Sequence, residues 1–135
     1  MNALGTHVLV ELRDCNADAL DDLQNVESTL IDTARRIGAT IIGHAFHQFS
    51  PQGVTGVVII AESHICIHTW PEHGYAAVDI FTCGDTSRLE EATQHIADAF
   101  GSQDRSVVTL QRGQMDASVS AVTRSEHDLA GVAGS

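Results

Sequence analysis

The sequence predicts an α+β domain, with an antiparallel-rich sheet and two helices on one face. Two observations carry the prediction. The apparent order of elements is β-α-β-β-β-β-α-β, so runs of adjacent strands separate the helices, as in layered α+β folds. Two stretches, ending near Gly38 and Gly101, repeat apolar residues at three- and four-residue steps, while the strand runs alternate or are apolar throughout. Several strands are apolar on both faces, so the face away from the helices needs a cover, which a partner subunit could supply.

Each element has its own signal. Residues 6–12 read as a strand with Val8, Val10 and Leu12 on one side. A turn at Asp14-Cys15-Asn16 leads to a helix capped by Asn16 or Asp18. Its buried stripe is Leu20, Leu23, Val26, Leu30, Ala34 and Ile37. Gly38 stops it, and Arg35-Arg36 suits the negative end of the helix dipole. Residues 40–49 form a second strand, and Ser50-Pro51-Gln52-Gly53 a turn. Residues 54–61, rich in β-branched side chains, form a third strand. Residues 63–69 and 75–81 add two more, separated by Trp70-Pro71 and a turn at His73-Gly74. Asp85 or Thr86 is expected to cap a second helix with Leu89, Ala92, Ile96 and Phe100 inward, ended by Gly101. Residues 105–112 form the last strand. The domain thus spans residues 1–113. Residues 114–135 are small and polar, with no aromatic and no period, and are expected to form a flexible tail.

Composition narrows the partners. The chain has 135 residues, with 43% hydrophobic and 4% aromatic, so its core is largely aliphatic. All seven basic residues are Arg, and the net charge is -11, which argues against nucleic acid or an anionic membrane surface as partner. No apolar run approaches the roughly 20 residues of a membrane span. No signal peptide is evident, and three cysteines fit free thiols better than a disulfide framework, so a cytoplasmic protein is expected.

The chemistry concentrates in residues 62–84, ESHICIHTWPEHGYAAVDIFTCG, which hold three histidines, two cysteines, the single Trp and the single Tyr. Alternation puts His64, Cys66 and His68 on one face, and Ser63, Ile65 and Ile67 on the other. Glu62-Ser63 offers a hydroxyl beside a peptide carbonyl. Cys83 is a thiol able to act as acid or nucleophile, with an ordinary pKa of about 8.5. His68 is a base or acid near neutral pH, and Glu72 an acceptor-only carboxylate when ionised. Each also has a plain structural reading: Ser63 as a strand residue, Cys83 as a small buried hydrophobe, His68 as a hydrogen-bonded strand group, and Phe49 and Trp70 as core. His64, Cys66, His68, His73 and Cys83 are possible metal ligands, yet no CxxC or HExxH spacing is present and no metal site is expected.

This stretch resembles the signature of the prokaryotic S-adenosylmethionine decarboxylase proenzymes, the small pyruvoyl-dependent class. The likeness extends to LGTHVLVEL, GATII, FHQFSPQGVTGVVIIAES and QRG, nearly the whole folded part. It implies self-cleavage between Glu62 and Ser63 into chains 1–62 and 63–135, with Ser63 becoming a covalent pyruvoyl group that forms a Schiff base with the substrate. His68 would be the proton acceptor in processing, supported by Thr55, and Cys83 the proton donor in decarboxylation. Phe49, Ile65, Trp70 and Glu72 would contact the substrate, Phe49 by stacking on adenine and Glu72 by holding the ribose hydroxyls. The implied assembly is a homodimer, an α/β/β/α sandwich, or a higher assembly. The implied product is the aminopropyl donor for spermidine synthesis. Thr55, Cys66 and His73 stand where Ser, Ser or Thr, and Tyr are more usual in the family. Two alternatives are a pyruvoyl-dependent arginine or ornithine decarboxylase on the same scaffold, and a non-catalytic metal- or ligand-binding homologue.

Overall fold

A computed structural model of the chain describes residues 3–115 and 122–124. The strands are β1 (Gly5–Arg13), β2 (Thr40–Gln48), β3 (Val54–Ala61), β4 (Ser63–Trp70), β5 (Tyr75–Thr82), β6 (Asp104–Arg112) and β7 (Val122–Arg124). The helices are α1 (Ala17–Leu20), α2 (Leu23–Arg36) and α3 (Leu89–Ala99), and Pro71–His73 makes one 3₁₀ turn. The strands form one sheet in the order β2-β3-β4-β5-β1-β6-β7, with every neighbouring pair antiparallel. The expected α+β class is the observed one.

The helices cover one face. Val8, Val10 and Leu12 of β1, Val58 and Ile60 of β3, Ile65 and Ile67 of β4, and Val78 and Ile80 of β5 are buried there. They join Leu20, Val26, Leu30, Ala34, Ile96 and Phe100 in one core cluster. Burying each Val, Leu, Ile or Phe side chain among them stabilises the fold by about 1.5–3 kcal/mol. The opposite face carries the alternate positions, with Leu9, Val57, Val108 and Leu110 half-buried and Ile59 exposed.

Three expectations are corrected. The first helix is two helices. Asp22 has extended backbone and caps α2 by accepting from the Asn25 amide, which breaks the run after Leu20; Asn16 caps α1 as expected. Neither Asp85 nor Thr86 caps α3 with its side chain. The N-cap is Arg88, and Asp85 instead accepts from the amide and hydroxyl of Ser87 in a local turn. Within the stretch expected to be a tail, Val122–Arg124 pairs with β6 as a seventh strand. Its β-branched Val and Thr suit the otherwise open edge of β6. The rest of that expectation, on residues 116–121 and 125–135, lies outside the described residues.

Gly56 has a specific reason to be glycine. Phe46, its cross-strand partner, lies over it, and an added Cβ would sit 2.0 Å from the Phe46 ring. Gly56→Ala must displace that ring from the core edge. It is expected to lower unfolding stability by about 1–3 kcal/mol, the usual cost of overpacking, read as a lower denaturant midpoint with an unchanged slope.

Candidate active site

The β3–β4 connection is so tight that only Glu62 lies between the strands. Ile60 pairs with Ser63, which sets the Ser63 side chain against the preceding peptide. Its hydroxyl contacts the Glu62 carbonyl oxygen. The backbone amide of Cys83 donates to Ser63 Oγ at 3.1 Å. That bond brings the end of β5 to the start of β4 and places Cys83 next to Ser63, although 20 residues separate them in sequence. Cys83 is exposed. Ala61, Glu62, Thr82, Cys83 and Gly84 border a cleft of about 460 Å³. A hydroxyl against a carbonyl, with a thiol alongside, can support acyl transfer and proton transfer.

The other end of β4 holds a second group. Thr55 and His68 are cross-strand partners, and Thr55 Oγ1 lies 3.1 Å from His68 Nδ1. Phe49, Thr55, His68, Trp70 and Glu72 line a cleft of about 280 Å³. Phe49 is 48% exposed and Trp70 40%, so both aromatic faces are available rather than buried in the core. The Phe49 ring meets His47 edge-on at 4.5 Å, and Trp70 packs on Tyr75 at 5.3 Å. Glu72 is exposed on the 3₁₀ turn, next to the buried Pro71.

The structure therefore brings Glu62, Ser63 and Cys83 together at one end, and Phe49, Thr55, His68, Trp70 and Glu72 together at the other. It does not bring the two groups together within one chain. Five strand residues, about 16 Å at the usual rise, separate Ser63 from His68. Ile65 corrects the expected set. Its side chain is 0% exposed and sits in the core under the helices, because its parity is opposite to that of His68. It offers no surface to a ligand. Among the described residues, no group of three or more His, Cys, Asp or Glu is placed to hold a metal ion.

Sequence reasoning missed a polar cluster on the open sheet face. His7 Nε2 lies 3.9 Å from Asp79 Oδ1, and Arg112 Nη1 lies 3.4 Å from His7 Nδ1. The Tyr75 hydroxyl donates to Glu11. Burial lowers the His7 pKa, partly offset by Asp79 and reinforced by Arg112 and His64. Burial raises that of Tyr75, with Glu11 adding to it. Burial and then Asp79 push the Cys66 thiol up, which disfavours its thiolate. The signal was present in the alternation of β1 and β5, where Glu11, Tyr75, Asp79 and His7 all fall on the face away from the helices.

This layered sheet, with a seryl hydroxyl set on its own preceding carbonyl, has known relatives. Residues 6–113 match the family described as S-adenosylmethionine decarboxylase. The S-adenosylmethionine decarboxylase proenzyme of Thermodesulfovibrio yellowstonii is 54% identical over 113 residues, 84% of this chain and 84% of that protein. The proenzyme of Carboxydothermus hydrogenoformans is 53% identical over 115 residues, 85% of this chain and 91% of that one. The crystal structure of the adenosylmethionine decarboxylase of Aquifex aeolicus superposes with a TM-score of 0.80 at 36% identity, covering 86% of this chain and 96% of that one. The chain belongs to the S-adenosylmethionine decarboxylase family.

The lowered His7 pKa has a consequence for stability. The unfolded chain takes up a proton near the ordinary value of 6.5, whereas the folded chain takes it up only at lower pH. Folding is therefore penalised as pH falls through that ordinary value, and the penalty is complete below the folded one. Between about pH 7.5 and about pH 5, the wild type should lose more melting temperature than His7→Gln. Parallel losses in the two proteins would remove His7 as the cause.

Proposed function

We propose that this chain is a self-processing decarboxylase that converts S-adenosylmethionine to its decarboxylated form and carbon dioxide, supplying the aminopropyl donor for spermidine synthesis. The observation that carries the reading is the Ser63 hydroxyl lying against the Glu62 carbonyl, with the Cys83 amide donating to the Ser63 hydroxyl oxygen. Attack of Ser63 Oγ on the Glu62 carbonyl carbon moves the acyl group from nitrogen to oxygen. Loss of the Ser63 α-proton then expels the Glu62 carboxylate, ending chain 1–62. The dehydroalanine at the start of chain 63–135 tautomerises, and hydrolysis releases ammonia. The residues fit the pyruvoyl group expected to result, which supplies the electron-withdrawing carbonyl that decarboxylation needs.

The chain's own side chains take the remaining roles in this proposal. His68 can hold one tautomer by donating from Nδ1 to Thr55 Oγ1, which leaves the Nε2 lone pair free to accept a proton. Cys83, exposed beside Ser63, returns a proton to the substrate after carbon dioxide leaves. Phe49 and Trp70 present aromatic faces, and Glu72 presents a carboxylate for two neighbouring ribose hydroxyls. That combination suits a nucleoside better than arginine or ornithine. The three free cysteines fit a reducing compartment and support a cytoplasmic location.

The proposal includes a homodimer with a shared site. About 16 Å of strand separates Ser63 from His68 within one chain, too far for a proton transfer. Two subunits packed about a two-fold axis, with the β3–β4 end of one against the His68 end of the other, would let the partner subunit's His68 serve Ser63. Ser63→Ala and His68→Ala should each remain uncleaved when expressed alone. Coexpressed, the His68→Ala chain should become cleaved by borrowing the other subunit's imidazole, seen as two new bands on a denaturing gel. Failure of both chains to cleave in a verified heterodimer would reject the shared site.

Substrate identity is tested by release of carbon dioxide from S-adenosylmethionine, arginine and ornithine in parallel, normalised to cleaved chain. Only the first should react. Glu72→Ala should cleave normally, yet lose at least about tenfold in kcat/KM, because each hydrogen bond to a charged group is worth roughly 1.5–3 kcal/mol. Undiminished use of S-adenosylmethionine by that variant would end the ribose assignment. Absence of any cleaved chain in the wild type would favour a non-catalytic homologue.

A further inference from the structure

We infer that Asp21 is a positioning residue for the nucleoside end of the cleft, acting through the 49–53 loop that carries Phe49; the inference rests on the substrate reading above. Asp21 lies at the C-terminal end of α1, where the helix breaks. Its Oδ1 accepts from the Gly53 amide at 2.8 Å and from Gln48 Nε2 at 2.8 Å. Gly53 is buried, so its amide requires a partner from the protein, and Asp21 is that partner. The loop closes on itself through the Phe49 amide, which donates to the Gly53 carbonyl at 2.8 Å. Gln48 and Gly53 thus bracket Phe49, and one carboxylate oxygen holds both.

The neighbouring residue completes the anchor. The Leu20 carbonyl accepts from Thr69 Oγ1 at 2.9 Å, and that oxygen accepts from the Val54 amide at 2.8 Å. Leu20 and Asp21 therefore hold the start of β3 and the end of β4 in one frame with the loop. An exposed aromatic such as Phe49 owes its place to its backbone more than to packing. Asp21 lies outside the lining of this cleft, so its loss should weaken ground-state and transition-state binding equally. Such a change raises KM and leaves kcat alone.

The test uses the full-length, self-cleaved protein. Asp21→Ala should raise KM for S-adenosylmethionine by about fivefold or more, less than the loss of a direct hydrogen bond from substrate to a charged group would give, because only the placement of the loop reaches the substrate. Its kcat per cleaved chain and its extent of cleavage should match wild type. Asp21→Asn keeps a carbonyl oxygen where Oδ1 stood and should restore KM. Gln48→Ala removes one exposed partner, leaves the Gly53 bond, and should give a smaller rise; it serves also if Asp21→Ala does not fold. Trp70, the single Trp, lines the same cleft, so quenching of its fluorescence by adenosine reports binding without turnover. The Kd for adenosine should rise in Asp21→Ala by a factor similar to KM. Unchanged KM and Kd in Asp21→Ala would overturn the inference, as would a joint fall in kcat and cleavage without rescue by Asn. If Asp21→Ala does not fold, an unchanged KM in Gln48→Ala overturns it. Wild-type binding of adenosine with no effect of the variants sinks the Asp21 role alone. A wild type that neither binds adenosine nor decarboxylates S-adenosylmethionine sinks the substrate reading and this inference with it.

Discussion

The pleat of β4 is the constraint on which the rest depends. Successive side chains must point to opposite faces, and β4 lies inside the sheet, between β3 and β5. Ile65, Ile67 and Thr69 are therefore committed to the helices, where Ile65 and Ile67 are completely buried. His64, Cys66, His68 and Trp70 are committed to the other face. A slip of one residue would put imidazoles and a thiol into an aliphatic core and expose the isoleucines. The same register that closes the core holds His68 against Thr55 and Ser63 against Ile60. Core and chemistry are consequences of one pairing.

That coupling explains what could be read from the sequence. The strand boundaries near Val54 and Tyr75 were legible because Gly and Pro set off the runs there, whereas no turn residue marks the boundary near Ser63. The helix stop was legible in Gly38, which adopts φ 75° just past the Ile37 C-cap. The Glu62-Ser63 pair was singled out through resemblance, since a serine in a strand carries no signal alone. The break after Leu20 was hidden because it involves partners far away in sequence. Asp21 binds Gly53, 32 residues on, while local periodicity runs straight through the break. Asp85 is a similar case, because a good capping residue was used by a nearer hydroxyl. Strand β7 was hidden because three residues are too few to show alternation, and it takes its pairing from the free edge of β6.

The open face raises a different physical problem. It mixes apolar Leu9, Val57, Ile59 and Val108 with His7, Asp79, Glu11 and Arg112. Buried charges are costly unless paired, and here most partners lie within the same chain. His7 has Asp79 and Arg112 near its two ring nitrogens, Tyr75 has Glu11, and Arg13 has Asp104 and Ser106. Such a face can be covered without orphaning those charges, while its apolar part gains from the cover. It is thus suited to an interface built on hydrophobic contact with most polar groups already paired, His7 Nε2 being the buried atom on this face left without a hydrogen bond among the described residues.

The two thiols of the central stretch are distinguished by the same geometry. Cys66 lies mid-strand, half-buried, and both burial and the negative charge of Asp79 oppose its ionisation. Cys83 lies beyond the end of β5, exposed, and its backbone amide is bonded to the Ser63 hydroxyl. A proton donor must reach the reacting atom, and reach depends on position before acidity. The backbone of the cysteine at the strand end lies within one hydrogen bond of the Ser63 hydroxyl, whereas the mid-strand thiol is three residues, about 10 Å, along β4 from Ser63. The fold thus leaves one cysteine exposed beside Ser63 and keeps the other as a wall of the neighbouring cleft with His68 and Val57.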